Sequence, residues 1–221
     1  LKDKEDAYDG RIRLNVKGQV NDATYVQGQF VTNMWFKDGK ADKDGNTTMS
    51  QIYVNHNFGK NVAVRLGRQP IAFGNQGGWM YNALNGYDGA QIAYTNDKLA
   101  LTTGFGQLND GWKDTDVYFA KGAYDFGFAK LNADYIADKD SEAQYRDEIY
   151  GVGLNIPVQK FNVFGEYWKN TTALDDHDTA WNAGLSYGKA DWKKAGTWDL
   201  SVAYNDVDYG VYFGGGTWHN D

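Results

Sequence analysis

The residues able to do chemistry in this chain are charges at alternate positions, not a cluster of nucleophiles or metal ligands. Arg11, Arg13 and Lys17 share one face of a segment whose other face carries Ile12, Leu14 and Val16. Arg65 repeats the arrangement between Ala63 and Gly67, with Val62, Val64 and Leu66 on the opposite face, and Arg68 follows closely. Three cations on one strand face would be ruinous against a dry core. They are tolerable if the inside is wet and the outside is apolar. The candidate basic wall is therefore Arg11, Arg13, Lys17, Arg65 and Arg68, and the candidate acidic wall is Asp88, Asp134 and Glu166. Opposed rows of this kind perform no covalent step. Across an aqueous lumen they set up a transverse field that acts on passing ions.

Other chemistries find little support. His56, His177 and His219 are dispersed without metal-ligand spacing, and there is no Cys. The stretch Asp42 to Asn46 resembles a calcium loop only superficially, since its Gly and acidic positions do not fit an EF-hand. Asn46-Thr47-Thr48 and Asn170-Thr171-Thr172 match the glycosylation pattern by composition alone. Gly214 to Gly216 opens no helix and is not a phosphate loop, and Ser50, Ser141, Ser186 and Ser201 lie in no nucleophile motif. No enzyme activity, cofactor or metal is expected.

The elements that position these charges read as strands with period two. The pattern predicts strands over Asp9 to Val20, Thr24 to Phe36, Met49 to Phe58 and Asn61 to Gly67, then Ala90 to Thr95, Leu99 to Gly106, Thr115 to Ala123 and Gly127 to Ile136. It continues with Glu148 to Ile156, Phe161 to Trp168, Trp181 to Tyr187 and Trp198 to Asn205. The connections alternate short and long along most of the chain, as in outer-membrane barrels with tight turns at one end and long loops at the other. Only Gly188 to Gly196 breaks the rule, being too long for a tight turn. Aromatic residues recur near strand ends, among them Phe36, Phe58, Tyr94, Phe105, Tyr150, Tyr187, Trp198 and Tyr204, where a membrane interface favours them. Ordinary strand propensity would also place aromatics there.

The central stretch, Asn61 to Tyr94, holds the longest expected connection. Between its two strands about 18 residues carry several Gly, and loops of that length usually have a function. Residues 69–88 are expected to form a constriction loop, with Asn75, Trp79, Tyr81 and Asn85 as its candidate residues, the part from Asn75 to Asp88 turning into the lumen. The competing expectation is a surface or subunit-contact loop.

Composition agrees with an antiparallel up-and-down transmembrane β-barrel. Among 221 residues, 16% are Tyr, Trp or Phe and 27 are Gly, against two Pro. No apolar run approaches the length of a membrane helix. The net charge of −7, without a basic stripe, argues against nucleic acid as a partner. Residues 1–8, containing the charged Leu1 to Asp6, read as the end of a stalk or linker, and 9–221 as the barrel domain. The ending at Asp221 lacks a closing strand, so the barrel is expected to be truncated, with about 12 of about 16 strands present.

Two segments resemble a known family. YDGRIRLNVKG at Tyr8 to Gly18, and VAVRLGRQPIAFG at Val62 to Gly74 leading into a Gly- and aromatic-rich stretch, are similar to porins of diderm Firmicutes (Negativicutes), the OmpM type. The most specific element is Gly67-Arg68-Gln69. The resemblance implies a trimeric general diffusion porin in the bacterial outer membrane, in contact with lipid and lipopolysaccharide and passing small hydrophilic solutes and ions. It also implies attachment to the cell wall through an S-layer-homology domain absent from this sequence, and no cofactor. Two further readings stay open: a sugar-selective channel with Trp79, Tyr81 and Trp112 as a stacking track, and a soluble carbohydrate-binding β-domain. An outer-membrane hydrolase is a more distant alternative.

Overall fold

The computed structural model describes residues 9–35, 47–75, 78–109, 115–139, 147–173, 177–191 and 193–211. They form twelve strands: β1 (Asp9–Asn21), β2 (Thr24–Trp35), β3 (Thr48–Phe58), β4 (Val62–Phe73), β5 (Tyr81–Thr95), β6 (Leu99–Leu108), β7 (Asp116–Asp125), β8 (Lys130–Asp138), β9 (Glu148–Val158), β10 (Phe161–Asn170), β11 (Thr179–Gly188) and β12 (Asp199–Val207). Each pairs antiparallel with its neighbour in the chain, in one sheet ordered β1 to β12. Among the described residues β1 and β12 are the two edges. The architecture is all-β and up-and-down, a porin-like β-barrel arrangement, as the period-two pattern predicts. Strands of 9 to 15 residues are long enough to cross a hydrocarbon layer at a tilt.

The register sorts side chains onto two faces. On one, Ile52, Val54, Leu66, Ile92, Leu101, Phe105, Val152, Leu154, Val163 and Leu185 are each at least 40% exposed. An apolar surface of that extent suits hydrocarbon rather than water. The other face runs through Arg13, Gln27, Gln29, Gln51, Asn55, Arg65, Gln91, Thr102, Lys121, Asp134 and Glu166. The inverted polarity inferred from the first strand therefore extends across the sheet.

The connections at one end are short: 22–23, 59–61, 96–98, 126–129 and 159–160, with 189–198 as the long exception. Those at the other end run through 36–47, 74–80, 109–115, 139–147 and 171–178.

The central stretch departs from the expected loop. β4 continues to Phe73 and β5 begins at Tyr81, so most of residues 69–88 is strand, with Asn85 inside β5 where the register shifts. Periodicity hid this because the register shifts. Gln69 faces Tyr87 while Ile71 faces Ala83, so one residue on β4 is matched against three on β5. Such an irregularity bends the strands locally. Gly86 sits in the bend at φ 44°, and a Cβ there would fall 1.7 Å from the Gln69 carbonyl oxygen. The bend needs glycine at this position.

Beyond the bend the hairpin leaves the plane of the sheet. Its tip bonds to residues of β8 and β10. In a flat sheet β4 and β10 would lie roughly 29 Å apart, whereas the arm from Gln69 to Asn75 reaches only about 20 Å. The sheet therefore curls towards the hairpin. Between hairpin and wall lies the apolar core, in which Ile71, Phe73, Trp79 and Met80 pack with Tyr87, Leu108, Val117, Phe119, Ile136, Ile149 and Trp168. The interior is thus not uniformly polar: it is dry where the hairpin rests and polar elsewhere.

Candidate functional site

The site is the hairpin tip and the wall around it. Asn75 is its centre and is buried. Its backbone N–H donates to Glu166 Oε2 at 3.0 Å, and its side-chain amide donates to the Gly165 carbonyl at 3.2 Å. Asn155 Nδ2 donates to Asn75 Oδ1 at 3.0 Å. Next to it, the Gly74 N–H donates to Asp134 Oδ2 at 2.8 Å. The tip is closed by its own backbone, since Gly78 and Trp79 both donate to the Asn75 carbonyl. One turn of chain is therefore tied to residues 60 and 91 positions away.

The wall is shaped to receive it. Glu166 also accepts from Trp168 Nε1 at 2.9 Å and from Asn182 Nδ2 at 3.3 Å. Both of its oxygens are held, which fixes the carboxylate where Asn75 arrives. Trp168 lies flat over Gly151, where a Cβ would come within 2.2 Å of the indole. Glycine at 151 thus creates the space for the ring. Gly153 does the same for the Asn75 side chain, whose Nδ2 would lie 2.3 Å from an added Cβ.

Asp134 and Glu166 occupy the inner face, as their alternation with apolar neighbours predicts, but they are 7% and 4% exposed. They hold the hairpin rather than standing open to a lumen. Arg11, Arg13, Lys17 and Arg65 lie on the inner face of β1 and β4. Arg11 Nε donates to Asn33 Oδ1 at 2.7 Å. Lys17 sits 4.0 Å from the centre of the Tyr25 ring, and Arg65 lies 4.6 Å from that of Tyr53. None of these four has a carboxylate partner among the described residues. These four cations and the carboxylates of Asp134 and Glu166 thus stand on different arcs of the wall, and the two carboxylates are covered by the hairpin.

Arg68 and Asp88 require a correction. They face each other across β4 and β5, with Nε to Oδ1 at 2.8 Å and Nη2 to Oδ2 at 2.7 Å. Their register places them on the face of Leu66 and Ile92, opposite to Arg65. The reason is parity: 65 and 68 differ by an odd number, and the strand is regular between them. Two bidentate charges close a pair on the outer face; they do not line the interior.

Of the remaining candidates, Trp79 is 7% exposed within the apolar core, so its ring faces are covered. Tyr81 packs against the same core and its ring centre is 6.4 Å from that of Phe73. Trp79 therefore serves packing and presents no platform for a sugar, while Tyr81 is partly buried against the core. Trp112 and His219 lie outside the described residues. Nothing is described of the Asn85 side chain beyond its place in β5. His56 pairs with the Thr24 hydroxyl at 2.8 Å and His177 approaches Asp208 at 3.7 Å. Among the described residues no group of His, Cys, Asp or Glu could hold a metal.

Sequence reasoning missed Lys121. It points inward between Phe119 and Ala123, faces Asp134 across β7 and β8, donates to the Ala72 carbonyl and lies 5.1 Å from the centre of the Phe73 ring. A cation flanked by apolar residues of the same parity was the available signal. With Gly74, Asn75, Thr102, Asn132 and Asp134 it lines a pocket of about 280 Å³ beneath the tip. Gln69, fully buried at the bend, was missed as well.

No family model matches the chain, and no curated protein matches it. Solved structures of similar fold do. A triple mutant of the Rhodopseudomonas blastica porin is 14% identical, with 90% of this chain and 86% of that one covered, at a TM-score of 0.50. A loop-deletion form of OmpT, an outer membrane protein of Vibrio cholerae, is 15% identical over 89% of this chain and 84% of that one, at a TM-score of 0.44. At such identities the likeness to the first is one of fold.

Proposed function

We propose that this chain forms the wall of a water-filled channel in a bacterial outer membrane, through which small hydrophilic solutes and ions diffuse, and that the β4–β5 hairpin is its constriction. The observation that carries the proposal is the tip's attachment to the opposite wall through Asn75, Gly74, Glu166 and Asp134. A surface loop or a subunit contact has no need of buried carboxylates on the far side of the lumen. The apolar outer face supports a membrane setting.

The cations on β1 and β4, which have no carboxylate partner among the described residues, set against acidic residues that the hairpin covers, favour anions at the constriction. The work is positioning and electrostatics, with no catalytic step. The covered ring of Trp79 and the packing of the partly buried Tyr81 against the core weigh against the sugar-selective reading. A trimer, contact with lipopolysaccharide, and attachment to the cell wall through an S-layer-homology domain rest on the resemblance to OmpM-type porins and form the outer part of the proposal. Chemical cross-linking of the protein tests the first of these, with a three-subunit band expected.

The channel itself is tested by current measurement in planar bilayers under a salt gradient. Stepwise currents are expected, with a reversal potential on the anion side that moves towards zero in Arg65→Ala. Protein that stays monodisperse without detergent and gives no current would refute the reading.

A further inference from the structure

The one long connection at the short-turn end, between β11 and β12, builds a pocket that the channel reading does not use. Its described residues, 189–191 and 193–198, fold on themselves: the Asp191 N–H donates to Thr197 Oγ1 at 2.8 Å, Lys194 N–H to the Asp191 carbonyl at 2.9 Å, and the Thr197 hydroxyl bonds back to the carbonyls of Asp191 and Lys194. The Gly188 N–H donates to the Lys160 carbonyl at 2.9 Å, which joins this loop to the neighbouring β9–β10 turn. Between them lies a pocket of about 540 Å³, lined by Gln159, Lys160, Lys189 and the rings of Phe161, Tyr187 and Trp198.

Its chemistry is amphipathic in one direction. The three rings form a continuous ladder, with centres 4.9 Å apart from Phe161 to Tyr187 and 5.6 Å from Tyr187 to Trp198. The ladder continues the outer apolar face, where Val158, Leu200 and Val202 are exposed. Lys160 and Lys189 stand at the rim, beyond the ends of the strands, and no carboxylate pairs with either among the described residues. The carboxylates of Asp191 in the loop and of Asp199 at the start of β12 are engaged by the loop's backbone: Asp191 accepts from the Lys193 N–H and Asp199 from the Ala190 N–H. Cations above an aromatic ladder, at the level where a strand leaves the membrane, match a phosphate headgroup whose acyl chains run down the outer wall.

We propose that this pocket binds one anionic phospholipid, its phosphate between Lys160 and Lys189 and its chains against Tyr187 and Trp198. The proposal rests on the membrane setting given above. The test is native mass spectrometry of the full chain in detergent, titrated with phosphatidylglycerol and, separately, with phosphatidylcholine.

One phosphatidylglycerol is expected to stay bound where phosphatidylcholine does not. Lys160→Gln with Lys189→Gln should weaken it about tenfold or more. Lys98→Gln, on the β5–β6 turn, should leave it unchanged. Equal loss in the Lys98 variant would reveal an unspecific cationic surface and overturn the proposal. Displacement by millimolar inorganic phosphate would assign the pocket to the free anion and overturn the lipid. The same preparation is run in planar bilayers: conduction without lipid retention overturns this inference alone, whereas protein that neither inserts nor requires detergent overturns both readings.

Discussion

Glu166 carries the heaviest structural duty of any single side chain in the site. It accepts from the Asn75 backbone, the Trp168 indole and the Asn182 amide while 4% exposed. Removing the carboxylate leaves three buried donors without an acceptor, each worth about 1–3 kcal/mol. Glu166→Ala is therefore expected to lower stability by at least 2–3 kcal/mol, roughly the loss of one or two such bonds, read as a lower midpoint of thermal unfolding in detergent. It should also add rapid noise to the open-channel current as the tip comes loose. Glu166→Gln keeps one acceptor oxygen and should lie between the wild type and the alanine variant in both readouts. Arg65 makes the complementary case. It is stacked on Tyr53 and has no carboxylate partner among the described residues, so Arg65→Ala should alter ion preference with little change in stability. Arg68→Leu together with Asp88→Leu, on the outer face, should leave reversal potential as it was, and a shift matching that of Arg65→Ala would contradict the assignment of faces.

At the scale of elements, the strands were legible and the hairpin was not. Alternation of Ile12, Leu14 and Val16 with Arg11, Arg13 and Lys17 is enough to orient β1, and the same rule oriented the other strands to within a few residues. The rule presumes an unbroken register. At Pro70 and Leu84 to Gly86 the pairing slips, so a bent pair of strands reads as irregular loop. The acidic anchors were legible as inward residues, since parity fixes the face. Their burial was not, because it depends on a segment some sixty to ninety residues away in the chain. Arg68 and Asp88 were misplaced by grouping charges by sign instead of by parity. Lys121 was overlooked because it stands alone on its strand. The glycines tell the same story in reverse: Gly151 has meaning only once Trp168 is seen above it. Gly151→Val is expected to push the indole off the wall and weaken its bond to Glu166. The expected outcome is a loss of about 2 kcal/mol or more, as for other overpacked sites, together with a blue-to-red shift of tryptophan fluorescence as the ring meets water.

For the whole molecule, the apolar outer face, the polar inner face and the alternation of turn and loop ends define one object. Lysines and an aromatic ladder surround the β11–β12 loop, while at the other end Asp178 pairs with Lys169 and Asp208 with His177. The inner face differs across its width, with Arg11, Arg13, Lys17 and Arg65 on one arc and, on the other, the carboxylates of Asp134 and Glu166 under the hairpin. Such a transverse arrangement needs the hairpin in place. Without it the carboxylates of Asp134 and Glu166 would face water, and both the width and the charge of the passage would change.

The measurement that tests this most directly is single-channel conductance of the protein and of a variant in which residues 75–80 are replaced by a two-residue turn. The constriction account predicts stepwise currents from both. The variant should conduct at least about twice as much, because the narrowest section sets the resistance of an aqueous pore, and its anion preference should fall as the two carboxylates are uncovered. Equal conductance and unchanged reversal potential in the two proteins would show that the hairpin does not narrow the path, and would contradict the account at its centre.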